Sequence, residues 1–220
     1  MGKVRFFSFL LLIALGTTTA IFNSCGKDDD GKTPDIQDDI NGVIINGVRW
    51  ATRNVAAPGT FAANPEASGM FYQWNRNIGW SATNPMVNSN GGTTWDSSVP
   101  IGTTWEKSND PSPIGWRVPT REELQRLLET AKVSNEWTNL NGVNGRKFTD
   151  KISGNSMFLP AAGYREDFGG TLGNVGSGGY YWSSTQCGSG AYGMGFYSGN
   201  GSWYDGYFRN NGISVRPVAE

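Results

Sequence analysis

The sequence predicts a mixed α+β domain in which one helix packs against a sheet supplied by the rest of the chain. The first observation is a segment at about residues 120–133 with the apolar spacing of an amphipathic helix. The second is a set of short runs that alternate large with small or polar residues, as half-buried strands do. The third is the presence of nine tryptophans and eleven phenylalanines among thirty-one glycines, which indicates a folded core rather than a disordered chain.

The helix is predicted from its start signal and its apolar face. Thr120 can cap the free N–H groups of the first turn, and Glu123, three residues later, can complete a capping box. An apolar stripe follows at the i, i+3, i+4 and i+7 positions of about three turns, formed by Leu124, Leu127, Leu128 and Ala131.

The strands are predicted at both ends of the folded region. Two short β-prone runs flank Asn46 and Gly47, a turn signal that favours a hairpin within residues 43–50. Further runs lie at residues 157–162, 179–185, 191–196 and 213–218. Long segments rich in glycine and asparagine connect them, and these predict long loops.

Residues 1–24 have the pattern of an export signal. Lys3 and Arg5 precede an apolar run of about ten residues, which is too short to span a bilayer as a helix, and small and polar residues follow. Ser24 and Cys25 then resemble the lipobox of bacterial lipoproteins. We therefore expect cleavage before Cys25 and a lipid on its side chain. The alternative is an ordinary secreted protein whose Cys25 is free or disulfide-bonded.

Residues 25–40 are polar and rich in aspartate, which favours a flexible acidic tether between the lipid and a domain at residues 41–220. The run from Lys27 to Asp30 resembles the export tag of surface lipoproteins in Bacteroides-like bacteria. The expected location is therefore the outer membrane, with the domain exposed at the cell surface and anchored by lipid.

The charge balance argues against nucleic acid as a partner. Loss of Lys3 and Arg5 with the signal leaves sixteen basic against nineteen acidic side chains, a net charge of about −3. Nucleic-acid recognition needs a basic patch or stripe, and the sequence contains none.

The residue inventory argues against catalysis and against a cofactor. The chain has no histidine, which removes Ser–His–Asp and Cys–His catalysis and histidine-ligated zinc. Its two cysteines, Cys25 and Cys187, cannot form a cysteine-rich zinc site. The glycine-rich stretches match no phosphate-binding motif. We therefore expect no enzyme, no metal and no cofactor.

Five blocks in order carry a resemblance to a known family. Residues 109–120, the predicted helix, and residues 159–165, 181–185 and 213–218 together resemble the Fibrobacter succinogenes major paralogous domain, over roughly residues 43–220. That family is similar to C-type lectin-like folds. The resemblance implies a small antiparallel sheet, paired N- and C-terminal strands, one packed helix and long loops at one end.

Two enzymatic functions are alternatives to a lectin-like domain without catalysis. Residues 116–123 also resemble formylglycine-generating enzymes, but the chemistry of that family relies on a cysteine pair that this chain lacks. Glycoside hydrolysis needs two facing carboxyl groups about 5–10 Å apart, and Glu166, Asp167 and Asp205 are the acids available in the aromatic-rich half. Adjacent acids in a glycine-rich loop are usually solvated, so a carbohydrate-active enzyme is kept only as an alternative.

A binding function fits the aromatic loops better. The lectin calcium signatures Glu-Pro-Asn and Trp-Asn-Asp do not occur in the sequence, which favours calcium-free stacking of sugar rings on exposed aromatic side chains. Two stretches are predicted to be loops that bind a ligand, one before the strand at residue 179 and one before the last strand. Their candidate binding residues are Tyr164, Arg165, Glu166 and Asp167 in the first and Trp203, Tyr204, Asp205 and Tyr207 in the second.

Three further tryptophans, Trp80, Trp95 and Trp105, are either exposed binding residues or core residues. The expected function is a surface-displayed binding module for a glycan or an extracellular partner. The main alternative is a structural or assembly component of a surface complex or appendage, with the aromatic residues at a protein interface.

Overall fold

The computed structural model of the protein describes residues 1–2, 42–199 and 203–220, and it describes side chains from Asp205 onward in the last range. The expected lipidation at Cys25 and the expected tether at residues 25–40 lie outside the described residues. Among the residues that are described, no helix is long and apolar enough to cross a membrane.

The described part of the chain is mostly β-structure with one short helix. In chain order, the elements are β1 (Val43–Ile45), β2 (Val48–Trp50), β3 (Met70–Tyr72), β4 (Gly79–Ser81), β5 (Trp116–Arg117), α1 (Arg121–Leu127), β6 (Val133–Leu140), β7 (Val143–Asp150), β8 (Ser156–Pro160), β9 (Tyr164–Arg165), β10 (Leu172–Gly173), β11 (Gly178–Cys187), β12 (Gly190–Tyr197), β13 (Trp203–Tyr207), β14 (Ile213–Ser214) and β15 (Val218–Ala219).

These strands form four sheets. The largest has six strands in the order β13-β12-β11-β14-β3-β4, and only its β11–β14 pair is parallel. A four-stranded sheet has the order β1-β2-β15-β5, so the first and last strands of the domain lie together, as predicted. The strands β6, β7 and β8 form a third, antiparallel sheet, and β9 with β10 forms a small hairpin.

Two Asn-Gly turns set hairpins. Asn46 and Gly47 have positive φ values of 46° and 75°, which a tight turn between β1 and β2 requires, and the predicted hairpin is confirmed. Asn141 and Gly142 make the same turn between β6 and β7, with φ values of 49° and 87°. The sequence analysis did not assign that second hairpin, although it carries the same turn signal.

The helix is shorter than the predicted residues 120–133. Its start is as expected, because Thr120 and Glu123 form the capping box, but it ends at Leu127. The backbone N–H groups of Lys132 and Val133 both donate to the carbonyl of Glu129, closing a turn that leads directly into β6. Residues 128–132 thus form turns before β6 begins at Val133, and Ala131 is exposed instead of packed.

The strand β11 separates two apolar cores. Tyr181 lies in the first core together with α1 residues Leu124 and Leu127. Its chain neighbours Tyr180 and Trp182 point the other way, into a second core. Alternation along a strand places successive side chains on opposite faces, so β11 is buried on both sides, and the second core carries the candidate site.

The closing segment of the chain joins the two larger sheets. Residues 213–214 form β14 in the six-stranded sheet and residues 218–219 form β15 in the four-stranded sheet. Between them lies Arg216, which is buried and donates to the Asn54 side chain at 2.9 Å and to the Ala51 carbonyl at 3.1 Å. Burial lowers the pKa of this guanidinium to about 10, so it keeps its charge at neutral pH.

Glu123 links the helix start to strand β5. Its carboxylate accepts two hydrogen bonds from Arg117, at 2.7 and 2.8 Å, and one from the Thr120 backbone at 2.8 Å. Burial acts to raise the pKa of Glu123, but these hydrogen bonds and the Arg117 charge outweigh it and hold the pKa below its ordinary value. A carboxyl group whose pKa is lowered by folding stabilises the fold above its unfolded pKa and loses that contribution as pH falls.

We expect Glu123→Gln to lower the free energy of unfolding by about 1–2 kcal/mol at pH 7, because it removes the ionic hydrogen bonds of a capping box. The difference from the parent protein should shrink as the pH falls below the ordinary pKa of about 4.3, and it should vanish once the pH is also below the lowered pKa of the folded carboxyl group. Urea unfolding across this pH range measures it. Glu122→Gln, at the exposed neighbouring position, is the control and should change stability by no more than about 0.5 kcal/mol. Equal losses for Glu123→Gln at pH 7 and pH 3 would contradict the pH assignment.

Candidate functional site

A concave cavity of about 420 Å³ lies on the second core. Its walls come from β9 and the turn after it, from β11, β12 and β13, and from the segment that leads into β14. We call it the tyrosine cavity, and its lining residues are Tyr164, Glu166, Asp167, Tyr180, Tyr197, Tyr207, Phe208, Asn211 and Ile213. Its volume falls within the range of about 300–1,000 Å³ that is usual for small-ligand sites.

The four tyrosine rings form one edge-to-face cluster around Tyr180. The centroid of the Tyr180 ring lies 5.0 Å from that of Tyr164 and 5.9 Å from those of Tyr197 and Tyr207. The interplanar angles are 62°, 85° and 89°, which is the T-shaped geometry that aromatic rings prefer over a face-to-face sandwich. Tyr180 is buried and the other three are half-buried, so the cluster extends from the core to the cavity wall.

Glycines on neighbouring strands make room for three of these rings. An added Cβ at Gly178 would lie 2.7 Å from the Tyr197 ring, and one at Gly193 would lie 2.9 Å from the Tyr207 ring. One at Gly173 would lie 3.1 Å from the Tyr164 ring. These rings therefore lie flat over glycine backbone, which is why the glycine-rich stretches and the tyrosines occur together in the sequence.

The phenol groups at the base of the cluster bind one another. The hydroxyls of Tyr180 and Tyr197 are hydrogen-bonded, and the Asn174 amide donates to them at 2.7 and 3.1 Å. Burial, followed by the Tyr197 hydrogen bond, holds the pKa of Tyr180 well above its ordinary value. The Tyr180 hydroxyl is therefore neutral at physiological pH, and its hydrogen bonds fix the ring positions.

The mouth of the cavity is acidic. Glu166 is exposed and Asp167 is half-buried, and both follow Tyr164 within three residues on the same turn. Burial raises the pKa of Tyr164, and the charges of Glu166 and Asp167 add to that effect. Among the described residues that line the cavity there is no lysine or arginine.

Two further side chains are arranged for contact with a ligand. Phe208 has 68% of its side chain exposed at the cavity wall. Asn211 is 8% exposed as a residue, and its amide forms no hydrogen bond with any side chain or backbone group that the structure describes. The amide is not among the enclosed polar atoms that lack a partner, so it is accessible from the cavity and offers a donor and an acceptor to a molecule there.

The structure brings four of the eight predicted binding residues together at this cavity. They are Tyr164, Glu166, Asp167 and Tyr207. Asp205 is exposed on the same strand as Tyr207, two residues before it, and its carboxylate accepts from the Gly206 N–H.

The expectation of a loop is wrong for the second stretch and for half of the first. Tyr164 and Arg165 form strand β9, whereas Glu166 and Asp167 lie in the turn after it, as predicted. The whole second stretch forms strand β13, whose backbone pairs Trp203 with Gly195 and Tyr204 with Met194. The side chains of Trp203 and Tyr204 lie outside the described part of the structure. The small residues of β12 allow β13 to pair closely, and this pairing was not visible in the glycine-flanked local sequence.

Arg165 is a structural residue rather than part of the cavity wall. It is 1% exposed, and its guanidinium donates to the carbonyls of Ser81 at 2.8 Å, Thr83 at 2.7 Å and Gly170 at 2.6 Å. Burial lowers its pKa. Since all these acceptors are backbone oxygens in separate loops, Arg165 ties the β9 turn to the segment after β4 and has no access to a ligand.

The three further tryptophans are core residues. Trp80, Trp95 and Trp105 are each less than 10% exposed. The indole of Trp95 donates to the Asp167 carbonyl at 3.0 Å, so Trp95 supports the acidic turn from inside. The core alternative therefore holds for all three.

Five of the cavity residues were not among the predicted binding residues: Tyr180, Tyr197, Phe208, Asn211 and Ile213. Tyr180 stands on a predicted strand and Tyr197 directly follows one, and each pairs with a glycine on the neighbouring strand, Gly195 and Gly178. Phe208 and Asn211 lie in an ordinary turn between β13 and β14. No local pattern marks them, because their position at the cavity depends on long-range strand pairing.

A second cavity of about 580 Å³ lies beside β5, with Trp105, Ile114, Trp116 and Val118 among its lining residues. Its polar groups include the Asp110 carboxylate, which accepts from the backbone N–H groups of Ser112 and Val118 at 2.8 and 2.9 Å, and the buried Ser112 hydroxyl, which has no hydrogen-bond partner among the described residues. We favour the smaller tyrosine cavity as the ligand site, because it combines exposed aromatic surface with two carboxylates.

The described residues contain no group of three or more His, Cys, Asp or Glu side chains that would hold a metal ion.

We expect Arg165→Met to lower the free energy of unfolding by about 3–5 kcal/mol, because it leaves buried carbonyls without their donor. Urea denaturation of the two proteins measures the change. Arg126→Met, at an exposed helix position, is the matched control and should change stability by no more than about 0.5 kcal/mol. A loss below about 1 kcal/mol at Arg165 would show that the buried guanidinium does not anchor the turn.

We expect Gly178→Ala to push the Tyr197 ring out of the cluster and to destabilise the fold by about 1–3 kcal/mol, as overpacking does. Thermal unfolding gives the stability, and near-ultraviolet circular dichroism reports the tyrosine environment. Gly199→Ala is the control, because a Cβ at that position would have no described atom within 4 Å. Unchanged tyrosine dichroism in Gly178→Ala would mean that the glycine is not required for the ring arrangement.

Comparison with known proteins gives one match. No curated protein and no solved structure matches the chain. Residues 132–218 match a family described as a domain of unknown function (DUF8237). The matched region runs from the residue before β6 to the first residue of β15, and it contains every lining residue of the tyrosine cavity. The chain is thus similar to this family over the part that holds the candidate site.

Proposed function

We propose that the protein is a surface-displayed, lipid-anchored binding module and that a glycan occupies the tyrosine cavity. The observation that carries the proposal is the convergence at one cavity of residues from both predicted binding stretches. Exposed or half-buried aromatic rings, two carboxylates and a buried amide line the same concave surface. Convergent polar groups on a mainly aromatic wall are typical of small-ligand sites.

We also propose that the domain has a C-type lectin-like fold. The paired N- and C-terminal strands, the single helix and the small antiparallel sheets agree with what the resemblance to the Fibrobacter succinogenes major paralogous domain implies. Fold likeness alone does not establish function, so the proposal depends on the cavity.

The chemistry of the cavity suits a sugar. Aromatic rings offer flat apolar faces for the C–H side of a pyranose, while Glu166, Asp167 and Asn211 accept hydrogen bonds from its hydroxyls. A carbohydrate-active enzyme stays an alternative, and it would require two carboxyl groups on opposite sides of the scissile bond. Glu166 and Asp167 are consecutive on one turn, which favours binding over that chemistry.

The anchoring part of the proposal rests on the sequence. A lipid on Cys25, followed by the acidic residues 26–40, would hold the domain at the outer face of the outer membrane with its cavity free to meet extracellular ligands.

We expect the full-length protein in a non-ionic detergent to bind a subset of a broad glycan array, with or without a calcium chelator. Phe208→Ala should weaken that binding at least about tenfold, because it removes an exposed stacking surface. Ile152→Ala is the control, since Ile152 is also an exposed apolar residue, at 90% against 68% for Phe208, and does not line the cavity. If the folded protein binds no glycan on the array, the glycan proposal is rejected.

A second candidate function is docking of a surface protein at the cavity beside β5. The observation that favours it is Ile114, an apolar side chain that is fully exposed at the rim of that cavity. Crosslinking on intact cells tests it, with Ile114→Asp expected to abolish a crosslinked partner that Phe208→Ala leaves in place.

A further inference from the structure

We propose that the tyrosine cavity recognises a positively charged amino group, and that its glycan therefore carries a hexosamine with a free, non-acetylated amine. The inference rests on the proposed function, because it names the class of glycan that the same site would take. It is supported by the charges, the aromatic rings and the amide of the cavity.

The charge at the cavity has one sign. Two carboxylates, Glu166 and Asp167, belong to its lining, and Asp205 is exposed on the strand that supplies Tyr207. The described lining residues include no lysine or arginine to neutralise them. A neutral sugar needs hydrogen-bonding groups of either kind, whereas a net negative wall specifically favours a cation.

The two arginines nearest in sequence are turned into the protein. Arg165 stands between Tyr164 and Glu166, but its guanidinium is held by backbone carbonyls in the interior. Arg209 follows Phe208, and its guanidinium lies 4.5 Å from the centroid of the Trp74 ring and donates to the carbonyls of Gly190 and Gly102. Both positive charges are therefore engaged away from the cavity.

The aromatic lining adds a second attraction for a cation. Four tyrosines and Phe208 contribute to the same wall, and the face of an aromatic ring attracts an ammonium group within about 6 Å of its centroid. The attraction grows where water is excluded, and the base of this cavity, at Tyr180, is only 6% exposed. Aromatic faces and carboxylates together form the usual surroundings of a bound amine.

Asn211 supplies the remaining directional group. Its side chain is more than nine-tenths buried in the cavity wall, and its amide has no hydrogen-bond partner among the described residues. The amide oxygen can accept an N–H of the ligand amine, while the amide nitrogen donates to a neighbouring hydroxyl. A sugar that carries both groups on adjacent carbons, as a hexosamine does, uses both functions.

The test compares two oligosaccharides of equal length by titration calorimetry, with the full-length protein in a non-ionic detergent at about pH 6, where an amine is mainly protonated. One is an oligomer of glucosamine with free amines, and the other is the matched oligomer of N-acetylglucosamine. We expect the free amine to bind at least about tenfold more tightly. Asp167→Asn and Glu166→Gln should each weaken the free-amine oligomer about fivefold or more and leave the acetylated one unchanged.

Glu122→Gln is the matched control, because it makes the same charge change at an exposed position on the helix α1, outside the cavity. It should leave binding of the free-amine oligomer unchanged. Equal loss in Glu122→Gln and Asp167→Asn would overturn the inference, since it would indicate attraction to the net charge of the protein.

The remaining outcomes separate this inference from the proposed function. Equal binding of the two oligomers, lost on Phe208→Ala, overturns the amine requirement and leaves a glycan site in the cavity. If the protein binds neutral glycans on the array and binds neither oligomer, the amine requirement is likewise overturned and the glycan site stays. If Nα-acetyl-lysine amide binds more tightly than glucosamine, the proposal of a saccharide ligand is overturned, and the ligand is a lysine side chain of a protein. Failure of every probe and of the array overturns both proposals.

Discussion

The fold depends on one constraint, which is that seven consecutive residues at the end of the chain belong to two sheets. Residues 213–214 pair in the six-stranded sheet and residues 218–219 pair in the four-stranded sheet. Arg216 lies between them, buried, with Asn54 and the Ala51 carbonyl as its acceptors, while its Nη2 has no partner among the described residues. A buried charge needs hydrogen-bond partners, so these two contacts tie the segment between β14 and β15 to residues 51 and 54, near the start of the domain.

The tyrosine cavity follows from that arrangement, because β14 brings the segment with Phe208 and Asn211 back beside β11. The ring positions are then set by complementary sizes across the strands, with glycine beneath tyrosine at three places. Arg165 and Trp95 hold the acidic turn from the interior side. The wall that meets solvent is thus supported by residues that never reach it, and its rings are ordered before any ligand arrives.

Local chemistry was predictable from the sequence, and long-range pairing was not. The Asn46-Gly47 hairpin and the capping box at Thr120 depend on neighbouring residues, and both are present as predicted. The helix end was missed because the apolar spacing continues past Leu127, whereas the chain turns at residues 128–132 and enters β6 at Val133. Arg165 was placed among the ligand-binding residues because its acceptors at residues 81 and 83 lie more than eighty positions earlier in the chain. The cavity was predicted in part. The acidic turn and Tyr207 were predicted to bind a ligand, but the strand pairing that brings them together was not predicted.

The placement of the cavity also bears on how the protein moves. The strand β13 is the outermost of the six-stranded sheet in the described part of the chain, and it pairs only with β12. Outer strands open locally at a lower free energy than central ones such as β11, and their amide hydrogens exchange with solvent sooner. One wall of the cavity, at Tyr207, therefore belongs to an outer strand that opens more readily than the central strand β11, which carries Tyr180 at the base. A ligand that contacts both strands would raise the free energy of local opening of β13 and would slow hydrogen exchange of its amides. Occupancy of the cavity would in this way be coupled to the rigidity of this edge of the sheet.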